Sequence, residues 1–392
     1  MPRPACGLFA GVSLALLGLM LPWLSGCGPS SSSPTDKRQF VTLGTAPVGG
    51  AFRPVGDALA SVLNEFKGEN NWRVQSKGTK GSQQNIRELD SGDIQLAMSN
   101  SAITYYAIRG EGGWDKPYEM RAIVTLAANV GLFITKRDAG IQTIADLKNK
   151  RVVVGPSGAG FEMFLGPLMT AHGVTYRNET QEFTPVNATY SEAVSMLGDG
   201  AADAAFMGGA IPTQAVTQAA TTYDLFFVPY DEEIRKQLIR EYPFYEAMTI
   251  PAKTRDGKET YRGMTEDFVA MNVGSMHLIT TAGQDEALVY QITKTIWENR
   301  AEIVKQHRAG LSINETNAAR FTGTPFHPGA IRFYQEIGIW SEADAGSADA
   351  GSADAGSADE ADHPAAPPAT DDATQPPVEP APADDTSDAT ES

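Results

Sequence analysis

Cysteine is nearly absent from this chain of 392 residues: Cys6 and Cys27 are the two, and both fall in the first 27 positions. The rest of the chain therefore has no thiol for a disulfide framework, a Cys-based zinc site or a cysteine nucleophile. Basic clusters are missing too. Lys and Arg total 31 against 48 Asp and Glu, and without a basic stripe there is no electrostatic footprint for nucleic acid. The net charge of -17 is uneven, because residues 341–392 hold 14 acids and no Lys or Arg. What precedes them is close to balanced.

Catalytic patterns are also scarce. His172, His277, His307, His327 and His363 are scattered, with no His-Glu-x-x-His spacing, so neither a metal site nor a cofactor is expected. Gly155-Pro156-Ser157-Gly158-Ala159 departs from the Gly-x-Ser-x-Gly elbow of hydrolases at Ala159. Lys77-Gly-Thr-Lys-Gly-Ser82 lacks the Gly-Lys-[Ser/Thr] end of a phosphate loop. The expectation is a protein that is not an enzyme, with no catalytic residue.

The apolar run from Leu8 to Trp23 is short for a membrane span and suits the core of an export signal. It ends in Leu24-Ser25-Gly26-Cys27, which resembles the bacterial lipobox, where cleavage before the cysteine frees it for acylation. Cys27 is the candidate lipidation site, with 1–27 as a lipoprotein signal; the bland alternative is a plain secretory signal with an incidental cysteine. Residues 28–37 are rich in Ser and Pro and read as a flexible tether reaching at most about 35 Å. Residues 341–392 repeat Asp-Ala-Gly-Ser-Ala and continue in Pro, Ala, Asp and Thr. With so few large apolar side chains, this tail is expected to be disordered.

Between Arg38 and Trp340, strand-like and helix-like segments alternate, which predicts an α/β fold of parallel sheets flanked by helices. Strands are expected at 39–43, 72–77, 94–98, 151–154 and 204–207. Helices are expected at 52–66 and 161–172, with Ser82 and Ser191 capping two more. A glycine loop follows the first strand at Gly44, and another follows the strand at 151–154 at Gly155. Two matching loops predict two alike lobes. Ligands of such sheets collect beyond the carboxyl ends of the strands, and bare N–H groups at helix starts favour an anion.

Gly44-Thr45, Gly49-Gly50-x-Phe52-x-Pro54, Thr79-Lys-Gly-Ser82, Ser91-Gly-Asp93, Tyr105-Tyr106, Ala145 to Gly155, Ser157-Gly-x-Gly160, Tyr242-Pro-Phe-Tyr245 and His327-Pro-Gly-Ala330 resemble the TAXI family of extracytoplasmic solute-binding proteins associated with TRAP transporters. The resemblance runs from about 38 to 339. It implies a two-lobed periplasmic-binding-protein fold, type II-like, with lobe 1 at 38–133 plus 250–340 and lobe 2 at 134–249. It also implies delivery of a small carboxylate or amino-acid-like solute, glutamate among them, to a TRAP-type membrane permease. The implied ligand-binding positions are Thr45, Gly49, Gly50, Phe52, Ser82, Ser99, Ser101 and Tyr105 in the first lobe, and Ser157, Gly158, Gly160 and Gly209 in the second. Backbone N–H groups of Gly49 and Gly50 and hydroxyls of Thr45 and Ser157 would hold the carboxylate, with Phe52 and Tyr105 as walls. Arg53 stands open between a counter-charge and a solvent-facing residue. The sequence departs from the family at Ala46, Pro47 and Val48, within a loop usually richer in Gly and Thr, and at Phe161, where a Thr is usual.

Three other roles suit the same clamp: presenting a solute to a membrane sensor, delivery to a nucleotide-driven transporter, and an enzyme on the same scaffold. The expected location is outside the cytoplasm, on a membrane held through lipid at Cys27.

Overall fold

The structure is a computed structural model that describes residues 38–46, 51–176, 182–254 and 256–340. The expectations for Cys27, the tether 28–37, Gly49, Gly50 and the tail 341–392 lie outside the described residues.

The strand-forming run Gln39–Gly44 (β1) leads into Phe52–Glu65 (α1), whose buried Val55, Leu59, Val62 and Leu63 recur at three- and four-residue spacing on one face. Trp72–Lys77 (β2), Ser82–Ser91 (α2), Leu96–Asn100 (β3), Ser101–Ala107 (α3) and Met120–Thr125 (β4) follow. The chain then crosses to a second sheet. There it forms Val130–Lys136 (β5), Arg151–Gly155 (β6), Glu162–Ala171 (α4), Thr184–Asn187 (β7), Tyr190–Asp199 (α5) and Ala204–Met207 (β8). Gln214–Thr222 (α6), Leu225–Val228 (β9), Glu232–Glu241 (α7), Tyr245–Ile250 (β10) and Phe268–Val273 (β11) come next. It returns as Met276–Thr281 (β12) and ends in Glu286–Glu298 (α8), Arg300–Gln306 (α9) and Pro328–Glu336 (α10).

The first sheet has the order β2-β1-β3-β12-β4 and the second β10-β11-β5-β8-β6-β7, with β9 also on β5. The likeness of the lobes lies in the pairing. β1 is parallel to β2 and β3, as β6 is to β7 and β8, and the next strand in each sheet, β12 or β5, is antiparallel. Each sheet thus takes its antiparallel strand from a crossing of the chain between lobes. This is a two-lobed α/β architecture with two crossings.

The lobe boundaries differ from those expected. The strands of the second sheet run from Val130 to Val273, because β11 pairs antiparallel with β10 along its length and with β5 at Met271 and Asn272. Residues 250–273 were expected in the first lobe. This antiparallel pair breaks the strand-helix rhythm from which the boundary was read.

The crossings at 126–129 and 274–275 are zipped together. Leu126 N–H donates to Met276 O (2.7 Å), Met276 N–H to Ala127 O (2.8 Å), and Val273 N–H to Asn129 O (2.9 Å). Gly274 has φ +110°, and a Cβ there would run into the Asn100 side chain, so glycine is required on both counts. One apolar core lies between the first sheet and α1, α8 and α10. A second runs without a break from α2 and α3 through the second lobe.

Two expected caps are placed differently. Gly81, not Ser82, precedes α2, and its helix start has no side-chain cap. Thr189, not Ser191, caps α5, in a capping box with Glu192. Among the described residues, no helix is long and apolar enough to cross a membrane.

Candidate functional site

Among the described residues, five helices that start at one place follow parallel strands: α1 after β1, α2 after β2, α3 after β3, α4 after β6 and α5 after β7. Their first residues converge on a cleft of about 190 Å³ between the lobes. The first lobe supplies Ala46, Ala51, Phe52, Lys80, Gly81, Ser82, Asn100 and Ile103. The second supplies Pro156, Ala159, Phe161, Thr189, Tyr190, Ser191 and Gly208, while Asn129 comes from a crossing and Met276 from the start of β12.

The lobes touch beside this cleft. A Cβ on Gly160 would stand 3.1 Å from Ile103 Cδ1 and 3.2 Å from Gln83 Cγ, closer than ordinary contact. Gly160 has φ +85°, so its missing side chain serves both the turn and the approach of the jaws.

The starts of α1 and α2 share two features: neither has a side-chain cap, and neither has an acid in its first turn. Among the described residues, the first N–H groups and the positive end of each helix dipole therefore have neither a side-chain cap nor a first-turn acid to offset them. Lys80 is exposed at its edge, with no ion partner among the described residues. Ser82 is buried, and its Oγ accepts from Asn100 N–H (3.0 Å), leaving its hydroxyl proton to be donated. Tyr190 does the same from the other lobe: its hydroxyl oxygen accepts from Gly208 N–H (2.8 Å), and burial raises its pKa so that it stays protonated. Asn100 is fully used, with Oδ1 capping α3 through Ala102 N–H (2.8 Å) and Nδ2 donating to Gly274 O (2.9 Å). Phe52, Ile103, Phe161 and Met276 make the remaining wall apolar. The arrangement can hold a compact anion by its donors while an apolar part rests on the rings.

Of the expected positions, Phe52 and Ser82 line this cleft. Thr45 does not; it is buried, and its hydroxyl donates to Lys77 O (2.8 Å), tying β1 to β2. Ser99 and Ser101 lie under the sheet end. Ser99 Oγ bonds Thr104 Oγ1 (2.8 Å), and Ser101 N–H donates to Ser275 O across the crossing. Tyr105 belongs to an aromatic cluster between lobes, 5.2 Å from the Phe244 ring and 6.4 Å from Tyr242, with the Arg109 guanidinium 3.6 Å over it. Ser157 and Gly158 are exposed, and the second glycine loop reaches the cleft through Pro156 and Ala159 instead. Gly209 is buried with its carbonyl on Val130 N–H (3.0 Å). Arg53 pairs with Asp57 one helical turn on (3.0 Å).

Sequence reasoning missed Tyr190, Lys80, Asn129 and Phe161 as lining residues. Tyr190 was within reach: it opens α5 as Ser82 opens α2, at matching places in the two lobes. Lys80 lies inside the quoted Thr79-Lys-Gly-Ser82. Among the described residues, no group of three or more His, Cys, Asp or Glu gathers as a metal site.

Solved structures similar to this chain include the alkanesulfonate-binding protein SsuA from Xanthomonas axonopodis pv. citri, at 13% identity and a TM-score of 0.42 over 80% of this chain and 83% of that one. Another is a binding protein component of an ABC phosphonate transporter from Pseudomonas aeruginosa, at 10% identity and a TM-score of 0.47 over 80% and 95%. A profile of the NMT1-like family matches residues 43–338, which is most of the chain and spans both lobes with both crossings, and the chain accordingly belongs to the NMT1-like family.

Proposed function

We propose that this protein is an extracytoplasmic solute-binding protein of the TAXI type, which captures a small anion between its lobes and delivers it unchanged to a TRAP-type permease. The observation that carries the reading is the cleft itself. Uncapped helix starts, a free lysine and donating hydroxyls from both lobes converge on one small volume at the strand ends, beside crossings built as a double hinge. The resemblance in the glycine loops adds the permease, and the Leu-Ser-Gly-Cys27 sequence adds a lipid anchor at the membrane surface. Catalysis has no part in this reading: the ligand leaves as it entered.

Native mass spectrometry of the protein gently purified from its own cells is expected to show one small bound molecule. The same molecule added at 100 times its dissociation constant is expected to stabilise the fold by about 2.7 kcal/mol. A ligand returned chemically altered would overturn the reading. Uptake in cells is expected to collapse when the ion gradient is dissipated, whereas uptake that follows nucleotide supply would point to a different permease.

A further inference from the structure

The cleft is specific about what it lacks. Among its described lining residues there is one cation, Lys80, and no carboxylate. Glu192, close to the lining residues Tyr190 and Ser191, has its carboxylate engaged by Thr189 N–H (2.7 Å) and Thr189 Oγ1 (2.8 Å). Three of the lining oxygens are already used as acceptors. Ser82 Oγ takes Asn100 N–H, Tyr190 Oη takes Gly208 N–H, and Asn100 Oδ1 takes Ala102 N–H. Hydroxyl protons and the N–H groups at the start of α2 remain to be offered.

A cleft with one cation, two helix starts and no carboxylate among its described lining residues stabilises an anion and leaves an ammonium group without a counter-charge, and a buried charge without one is strongly disfavoured. The volume of about 190 Å³ lies below the roughly 300–1,000 Å³ of sites for drug-sized ligands. The apolar wall of Phe52, Ile103, Phe161 and Met276 asks for a hydrocarbon body. Resting on the solute-binding reading above, we infer that the ligand is a compact organic carboxylate with an apolar body and no ammonium group, its head at the start of α2 beside Lys80. Free α-amino acids, glutamate included, are thereby disfavoured.

Matched probes test this by calorimetry on the intact protein: phenylacetate against phenylalanine, and hexanoate against norleucine. The acid of each pair is expected to bind at least tenfold more tightly. Lys80→Gln is expected to weaken acid binding about tenfold, with the melting temperature of the unliganded variant as the check on folding. Amino acids binding as tightly as the acids would overturn the inference and leave solute binding standing. If none of the probes binds, the molecule retained from cells decides: an ammonium-free acid supports the inference, and a neutral or ammonium-bearing one overturns it. No retained molecule together with no probe binding would overturn both this inference and the solute-binding reading.

Discussion

His277 shows how one residue can carry a pH dependence. It sits in β12, fully buried, with Nε2 2.8 Å from Thr104 Oγ1, and burial holds its pKa down to about 3 against an ordinary value of 6.5. Over that interval the unfolded chain binds a proton that the folded one refuses. The contribution is therefore complete above pH 6.5 and is lost as pH falls toward 3, at up to about 1.4 kcal/mol per pH unit. Burial lowers His172, His307 and His327 as well, which adds to the same trend. Urea unfolding at a series of pH values is expected to show stability falling below pH 6.5, with a shallower slope in His277→Gln. An unchanged slope would remove His277 from the account. Nothing local in Met276-His-Leu announces this role, since the burial comes from β12 being flanked by β3 and β4, both more than a hundred residues earlier.

Among the elements, α3 depends most on a single side chain. It has seven residues, too few to be stable alone, and Asn100 both caps it and bonds Gly274 at the crossing. Asn100→Ala removes a cap, worth about 0.5–2 kcal/mol, together with the contact to the crossing. A loss of stability of at least about 1 kcal/mol is expected in chemical denaturation, and a neutral result would contradict the dual role. Among the expected elements, β2 and β8 occupy the expected residues, α1 and α4 begin and end within one residue of them, and β3 lies two residues later, at Leu96–Asn100 in place of 94–98; β4, β5, β7 and β9 to β12 carried no expectation. The caps were less well marked by the sequence. Ser82 and Ser191 look like caps by residue type, but Ser82 is inside the first turn with its hydroxyl drawn to Asn100, and Thr189 already bonds Glu192. Residue type names candidates for a cap, and the direction of the arriving chain selects among them.

For the molecule as a whole, the two glycine loops are not equivalent. The second loop sends Ser157 and Gly158 outward and uses Gly160 to bring the lobes together, where sequence similarity had implied ligand contact. Gly160→Ala adds a Cβ against Ile103 and Gln83 at a positive φ, so the lobes are expected to meet less closely. Ligand affinity should fall at least tenfold, and small-angle scattering with saturating ligand should show a larger radius of gyration than the parent protein. Parent-like affinity would show that lobe contact at Gly160 is not needed for binding.

The order of residues along the chain settles the alternation of strands and helices, the two-lobed plan and the glycine turns at strand ends, because hydrophobic periodicity and backbone freedom are local properties. It also places Phe52 and Ser82 near helix starts that face the ligand side of a parallel sheet. Which neighbours share the cleft is a different matter. Asn129 enters it from a crossing bonded to Asn272, 143 positions away, and Thr45 leaves it because Lys77 O takes its hydroxyl. Those outcomes depend on pairings between distant strands, and such pairings exist only once the two sheets have formed.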